Sequence, residues 1–178
     1  LSNGYLVVMQ HPVTTEYKES RRHVEQTLLA IKQINKPTLW FWPNIDAGAD
    51  GTSTGIRAFR EHHTLENVHF FKNMDGTDFL RLLSNAQVLI GNSSVGIREA
   101  SFLGVPVVNI GTRQNRRDRA ANVVDIDYQE EEIVRAINQQ IANKSLGSSH
   151  LYGEGNAGVQ IANLLRTVDL RFHKTITY

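Results

Sequence analysis

The 178-residue chain contains no cysteine, which excludes a disulfide framework and a zinc site with thiolate ligands. Its 19 Lys and Arg residues nearly balance its 18 Asp and Glu residues, so the net charge is +1. This balance gives no global field that attracts nucleic acid or an anionic membrane. No apolar run approaches the ~18 residues of a membrane-spanning helix. We therefore expect binding to neither partner, and the missing thiols fit a reducing, cytoplasmic location.

Two nucleotide-binding motifs and any metal-ligand pattern are also missing. No Gly-x-Gly-x-x-Gly follows a predicted strand, which argues against the usual dinucleotide fingerprint. The phosphate-binding pattern Gly-x-x-x-x-Gly-Lys-Ser/Thr does not occur. No group of His, Asp and Glu has the spacing of a metal site. We expect no metal and no other cofactor.

Short apolar segments alternate with helical patterns along the chain. Strands are predicted at residues 5–9, 38–42, 68–71, 88–90, 105–110 and 123–126. Helices are predicted at residues 17–34, 54–63, 78–85, 95–103, 130–142 and 159–168. This alternation indicates an α/β fold with a Rossmann-like, doubly wound parallel sheet, in one domain over residues 1–178. Ligands bind outside the carboxyl ends of such strands, so the strand-to-helix junctions are the candidate sites.

The junction after the fourth strand has the sequence GNSSVGIRE at residues 91–99. A helix that begins here offers free N–H groups to a phosphate, and Gly91 allows close backbone approach. Ser93 and Ser94 can cap the helix or donate to phosphate oxygens. Glu99 could accept hydrogen bonds from a ribose diol. A plain capped helix with a surface carboxylate explains the same pattern, so both interpretations stay open.

Basic and polar side chains follow other strands. Four arginines lie within residues 113–119, after the fifth strand. Arginine suits phosphate oxygens. We favour a binding role for Arg113, closest to the strand end, and a solvated loop for the other three.

His11 follows the first strand, where an imidazole could donate to a phosphate, although a lone loop histidine is more often structural. The loop with Asn44 is either a polar lining or only a turn.

Five motifs in this order resemble the C-terminal half of the hydrolysing UDP-N-acetylglucosamine 2-epimerases, including bacterial sialic-acid pathway enzymes and the epimerase part of the bifunctional animal enzyme. They are QHPVTT at 10–15, PNIDAG at 43–48, GNSSVGIRE at 91–99, GVPVVNIGTRQ at 104–114 and YGEGNA at 152–157. The non-hydrolysing relatives carry Asp-Ser-Gly-Gly where this chain has Asn-Ser-Ser-Val. The resemblance spans nearly the whole chain and favours the hydrolysing branch.

The resemblance implies one half of a GT-B architecture, in which two Rossmann-like domains enclose the active site. It implies that Ser93 and Ser94, within the segment that includes Gly91 and Asn92, bind the diphosphate, and that Glu99 binds the ribose. It also implies that Arg113 lies at the nucleotide and that His11 reaches the phosphate or the sugar. Asn44 would line the cleft, and Met74 would flank the uracil. Lys72 and Asn73 match positions at which the animal enzyme is regulated by a CMP-sugar.

The activity implied by the resemblance is elimination of UDP across C1–C2 of the sugar, followed by addition of water to release N-acetylmannosamine. The carboxylates for this acid–base chemistry belong to the family's N-terminal domain, which we expect to be missing here. His11 is the one tentative catalytic residue of this half. The chain begins with Leu1, so we expect a piece of a longer, homo-oligomeric enzyme that is inactive by itself.

Three alternatives stay open. The chain could be the donor domain of a GT-B glycosyltransferase, an epimerase acting on a related sugar nucleotide of legionaminic-acid synthesis, or a regulatory nucleotide-binding module. Reaction products separate the glycosyltransferase from the proposed epimerase, and substrate assays on the full-length chain settle which sugar nucleotide is used. Calorimetry with UDP and CMP-sialic acid tests the third.

Overall fold

The computed structural model describes residues 4–143 and 147–169, which contain a six-stranded, fully parallel sheet. Its strands are β1 (Leu6–Met9), β2 (Thr38–Phe41), β3 (Val68–Phe71), β4 (Val88–Gly91), β5 (Val107–Ile110) and β6 (Val123–Ile126). Their order across the sheet is β3-β2-β1-β4-β5-β6. The predicted Rossmann-like parallel sheet is confirmed. The order reverses between β1 and β4, and ligands bind at such a switch point.

Seven helices are described: α1 (Ser20–Ile34), α2 (Ala49–His62), α3 (Gly76–Ser84), α4 (Ser94–Ile97), α5 (Glu99–Leu103), α6 (Glu130–Ala142) and α7 (Ala157–Thr167). A 3-10 segment at Thr14–Glu19 precedes α1. Among the described residues, no helix is long and apolar enough to cross a membrane.

Two apolar clusters lie on opposite faces of the sheet. One face packs against α1, α2 and α6, with Trp40 and Ile90 at its centre. The other packs against α3 and α5 through Leu89 and Val107. Side chains that alternate along each strand therefore enter different clusters, as expected for a sheet covered on both sides.

Helix α2 begins at Ala49, five residues before the predicted start at residue 54. The first turns contain Gly51 and Gly55, which lower helix propensity and obscured the pattern. A side chain at Gly55 would lie 2.7 Å from Cγ1 of Val24 in α1. The glycines thus permit close packing of two helices, and this packing stabilises a helix that local propensity does not favour.

The helix predicted at residues 95–103 is two short helices. The break lies at Arg98, where φ is −107° and ψ is −78°. Because α4 contains four residues and α5 five, the orientation of this segment depends on its packing against the sheet and not on a long helix axis. Gly96, which would place a Cβ 3.0 Å from Val107, allows that close packing.

Candidate functional site

Polar side chains from four strand ends meet at the carboxyl edge of the sheet. His11 follows β1, Asn44 and Asp46 follow β2, Asn92 follows β4, and Arg113 follows β5. A cavity of about 740 Å³ opens here, and Thr14, Asp46, Ser94, Arg113 and Arg117 are among the residues that line it. The structure therefore brings together several residues that the sequence placed at separate junctions.

Asn92 joins the ends of β1 and β4. Its side chain is fully buried. Oδ1 accepts a hydrogen bond from the backbone N–H of His11 at 2.7 Å, and Nδ2 donates to the His11 carbonyl at 2.8 Å. The carbonyl of Asn92 accepts from Nε2 of Gln114 at 2.7 Å. The side-chain amide of Asn92 therefore fixes the backbone of His11. A role of Asn92 in binding UDP stays a prediction.

The imidazole of His11 is held next to the β2 loop. Its Nδ1 accepts a hydrogen bond from the backbone N–H of Asn44 at 3.2 Å. Burial and the nearby Arg113 guanidinium lower the pKa of His11 to about 4, against a smaller opposing effect of Asp46. The ring is therefore neutral at physiological pH.

Arg113 forms an ion pair that the sequence did not predict. Its Nη2 lies 3.1 Å from Oδ2 of Asp46, and Oδ2 also accepts from Nδ2 of Asn44 at 2.6 Å. The hydrogen bonds from Asn44 and Arg113 hold the pKa of Asp46 below its ordinary value. The Arg113 side chain is 26 % exposed, so its guanidinium is oriented but still reaches solvent.

The segment that follows β4 has mixed roles. Ser93 caps α4, since its Oγ accepts from the N–H of Val95 at 3.4 Å. Ser94 lines the large cavity. Gly91 has φ of +127°, and a Cβ there would overlap the carbonyl oxygen of Met9 in the neighbouring strand. Strand packing alone thus explains why a glycine is needed at this position.

Glu99 lies apart from Ser94 and Arg113. It borders a second, more apolar cavity of about 350 Å³, together with Arg98, Phe102 and Tyr152. Its Oε2 is buried and has no hydrogen-bond partner among the described residues. A buried carboxylate oxygen without a donor is uncommon, so this atom is a candidate for hydroxyl donors from a ligand.

The segment after β3 contains the remaining predicted residues. Lys72 and Asn73 are exposed, and Asn73 accepts a hydrogen bond from the N–H of Met74 at 2.9 Å. The Met74 side chain packs against the cluster on the α3 face of the sheet. All three residues follow β3, an edge strand that β2 and β1 separate from the switch point. Their functional roles stay predictions.

The basic loop after β5 is only partly solvated. Arg116 and Arg117 are exposed and line the large cavity. Arg119 instead pairs with Asp125 at 3.1 Å, and its side chain is 20 % exposed. It therefore contributes an ion pair at the end of β6, where the sequence had indicated only a solvated loop.

Residues 51–55 spell Gly-x-Ser-x-Gly, the pattern of a hydrolase nucleophile elbow. They lie inside α2 and well beyond the end of β2 at Phe41. The strand-to-turn-to-helix context of an elbow is missing. Within residues 4–143 and 147–169, no group of three or more His, Asp and Glu side chains could hold a metal ion.

Comparison with known proteins identifies the family to which this chain belongs. Residues 1–166 match the family described as UDP-N-acetylglucosamine 2-epimerase. This chain belongs to that family. The match confirms the resemblance indicated by the sequence motifs.

Relatives with assigned names carry two kinds of epimerase name. UDP-N,N'-diacetylbacillosamine 2-epimerase (hydrolyzing) of Legionella pneumophila is 29 % identical over 92 % of this chain and 43 % of its own length. UDP-N-acetylglucosamine 2-epimerase of Neisseria meningitidis is 32 % identical over 76 % of this chain and 35 % of its own length. The chain thus spans less than half the length of these relatives.

Solved epimerase structures share the fold. The UDP-GlcNAc 2-epimerase of Neisseria meningitidis bound to UDP-GlcNAc superposes with a TM-score of 0.74 at 17 % identity, covering 94 % of this chain and 46 % of that one. The Methanocaldococcus jannaschii enzyme in complex with UDP-GlcNAc and UDP gives 0.70 at 17 % identity, covering 92 % and 45 %. At these identities the similarity establishes the fold alone.

Proposed function

We propose that this chain is the UDP-binding half of a hydrolysing UDP-N-acetylglucosamine 2-epimerase, which converts UDP-N-acetylglucosamine and water to N-acetylmannosamine and UDP. One observation carries the proposal within this family: Ser94 and Arg113 line one cavity of about 740 Å³ at the switch point of the sheet. The Legionella pneumophila and Campylobacter jejuni relatives are both named as hydrolyzing 2-epimerases, which supports the reaction type.

Arg113 is suited to bind the diphosphate. Its planar guanidinium matches the geometry of phosphate oxygens and can donate two parallel hydrogen bonds to them. The Asp46 carboxylate pairs with it at 3.1 Å and keeps it at the cavity. A diphosphate carries more negative charge than one carboxylate. We therefore expect it to take over part of the hydrogen bonding now made to Asp46.

Glu99 is suited to bind the ribose, because its buried Oε2 lacks a donor and ribose hydroxyls supply two. The base would then lie toward the cavity beside α5, with Met74 as a proposed contact. Asn44, Ser93, Gly91 and Asn92 complete the proposed UDP site, and Lys72 and Asn73 are proposed regulatory contacts.

The rest of the active site would come from a second domain of a longer, homo-oligomeric parent protein. The acid–base carboxylates are proposed to lie there, so turnover needs both halves. Helix α7 supports this proposal, because Ile161, Leu164, Leu165 and Val168 are 44–62 % exposed and form one apolar stripe. Such a stripe is stabilised when another surface covers it.

Calorimetric titration of the chain with UDP tests the proposal. Wild type should bind UDP, and Arg113→Ala should weaken binding roughly 10- to 100-fold, since a charge-assisted hydrogen bond to phosphate is lost. Arg81→Ala is the matched control, because Arg81 lies on α3, its side chain is 76 % exposed, and it lines neither the cavity at Arg113 nor the cavity at Glu99. No UDP binding by wild type, or an equal loss in both variants, would contradict the proposal.

A diacetamido sugar nucleotide is the second candidate substrate, because two of the relatives are named for UDP-N,N'-diacetylbacillosamine. The E. coli relative named polysialic acid biosynthesis protein P7 instead fits the sialic-acid pathway. Assays of the full-length parent with each sugar nucleotide separate the two by the free sugar released.

A further inference from the structure

The loop that follows β5 is anchored on both sides of Arg113. Before Arg113, the hydroxyl of Thr112 donates a hydrogen bond to Oε1 of Glu16, 96 positions earlier in the chain. After it, Nε2 of Gln114 donates to the carbonyl of Asn92 at 2.7 Å, and Gln114 is 1 % exposed. These anchors belong to the segments that follow β1 and β4. Arg113 thus projects from a short stretch of backbone that two neighbouring segments hold.

The carboxylate of Glu16 is itself supported by buried side chains. Glu16 lies where the 3-10 segment departs from helical geometry, with φ of −122° and ψ of 21°. Its second oxygen, Oε2, lies 3.8 Å from Nδ1 of His23 in α1. The buried ring of His23 stacks on the buried ring of Tyr128, with centroids 3.6 Å apart and planes 2° from parallel. One oxygen of Glu16 therefore reaches the loop, and the other faces a closely packed pair of rings.

Tyr128 also supports the start of the loop. It follows β6, and a Cβ added at Gly111 would lie 2.2 Å from its hydroxyl oxygen. The backbone at Gly111, where φ is +74°, thus passes directly against the Tyr128 ring before it reaches the anchored hydroxyl. Four side chains form one continuous set of contacts between α1 and this loop, and we call them the Glu16 cluster: Glu16, His23, Thr112 and Tyr128.

Charge alone does not account for a carboxylate at this position. Glu16 lines the same cavity as Asp46 and three arginines, namely Arg113, Arg116 and Arg117. Asp46 pairs with Arg113 at 3.1 Å, whereas no ion pair among the described residues joins Glu16 to an arginine of the cavity. A negative charge in the wall of an anion-binding cavity weakens binding through Coulomb repulsion. Any favourable contribution of Glu16 to such a site therefore comes from its hydrogen bond to Thr112.

We propose that Glu16 is a positioning residue of the anion site. Through Thr112, and supported by His23 and Tyr128, its carboxylate holds the loop after β5 so that Arg113 lines the cavity. The binding of a diphosphate at Arg113 rests on the proposed function. The positioning of the loop does not, because it follows from contacts within the chain.

Calorimetric titration with inorganic pyrophosphate tests the role of Glu16 by the sign of the effect. Glu16→Ala should weaken binding roughly tenfold, because the loop loses one anchor, although removal of a negative charge by itself would strengthen binding. Glu16→Gln keeps an acceptor oxygen for Thr112 and loses the charge, so its affinity should equal or exceed that of wild type. Unchanged or tighter binding by Glu16→Ala, or an equal loss in both variants, would overturn the proposal.

Thr112→Val tests the same hydrogen bond from the other side without a change of charge. It should also weaken pyrophosphate binding roughly tenfold, and the double variant with Glu16→Ala should bind no more weakly than either single variant, since both remove one interaction. Thr54→Val is the matched control, because Thr54 is exposed on α2 and does not line the cavity. Losses that add in the double variant would overturn the shared hydrogen bond.

Nitrogen-15 relaxation of the backbone amides, measured without added ligand, tests the positioning of the loop directly. The order parameters of Thr112 and Arg113 should fall in Glu16→Ala and in Thr112→Val and stay at the wild-type value in Glu16→Gln. The amide of Ile90 in β4 is the internal reference and should not change. If the order parameters of Thr112 and Arg113 are the same in wild type and both weakening variants, the positioning role is overturned.

The same two measurements separate this inference from the proposed function. If wild type binds pyrophosphate but not UDP, and Glu16→Ala weakens pyrophosphate binding, the proposed function fails and the inference stands. If wild type binds UDP and the loop stays ordered in Glu16→Ala, the proposed function stands and the inference fails.

Discussion

The side chain of Asn92 contacts a residue 81 positions away in the sequence. The motif at residues 91–99 predicts a ligand-binding role for Asn92 together with Ser93 and Ser94, because all three lie in one segment. In the structure Ser94 faces the cavity, Ser93 caps a helix, and Asn92 supports His11. Three neighbouring residues thus have three different environments, and their chemistry alone did not distinguish them.

The lowered pKa of His11 predicts how stability changes with pH. The ordinary value is 6.5 and the folded value is about 4, so the unfolded chain binds more protons between them. Stability contributed by the neutral ring is complete above pH 6.5 and is lost as pH falls toward 4. The loss is at most ~3.5 kcal/mol, since each pH unit between the two pKa values corresponds to about 1.4 kcal/mol.

Urea unfolding of wild type and His11→Gln at several pH values between 4 and 7 measures this effect. The free energy of unfolding of wild type should fall more steeply with decreasing pH than that of the variant. His23, whose pKa is also lowered chiefly by burial, contributes the same sign in both proteins, so the difference between the curves isolates His11. Parallel curves would contradict a depressed His11 pKa.

At the scale of elements, the glycines determine how closely segments approach. Gly55 allows α2 to pack on α1, and Gly96 allows α4 to pack on β5. Hydrophobic periodicity predicts the strands within a few residues, because the four central strands are buried on both faces and read as apolar runs, and the two edge strands keep several apolar residues. It misplaced the start of α2 and the division between α4 and α5, because close packing overrides propensity there.

Gly91→Ala should lower the free energy of unfolding by ~2 kcal/mol or more. The residue has a positive φ, and the added methyl group would overlap the backbone of β1. Gly158→Ala is the matched control, because Gly158 lies in α7 with no atom within 4 Å of its would-be methyl group. It should be neutral or stabilising by up to ~1 kcal/mol. Chemical denaturation measures the free energy of unfolding of both variants. Equal values for Gly91→Ala and Gly158→Ala would contradict the close approach of β1 and β4.

At the scale of the whole molecule, α7 differs from the other helices. All of its residues are exposed, including Leu164 at 62 % and Leu165 at 59 %. The chain spans less than half the length of its relatives, so a covering surface in a longer protein is part of the proposed function. In the 178-residue chain, the same stripe is an exposed apolar patch that favours self-association.

Leu164→Glu combined with Leu165→Glu should therefore reduce self-association of the chain, because two charges replace the centre of the apolar stripe. Sedimentation velocity at several protein concentrations measures it. Gln160→Glu combined with Asn163→Glu adds the same charge to polar positions of α7 and is the control. If both double variants change the association state equally, net charge and not the apolar stripe is responsible.

The sequence by itself determined the alternation of strands and helices, the parallel sheet and the family motifs, because these depend on local periodicity and residue type. The tertiary structure decided which side chains meet. Asp46 and Arg113 lie 67 positions apart, and no local pattern indicated their ion pair. The strand order places β1 between β2 and β4, which brings three loops from distant parts of the chain to one edge. Ser94 and Glu99 are only five positions apart, yet they line different cavities, because the helix breaks at Arg98.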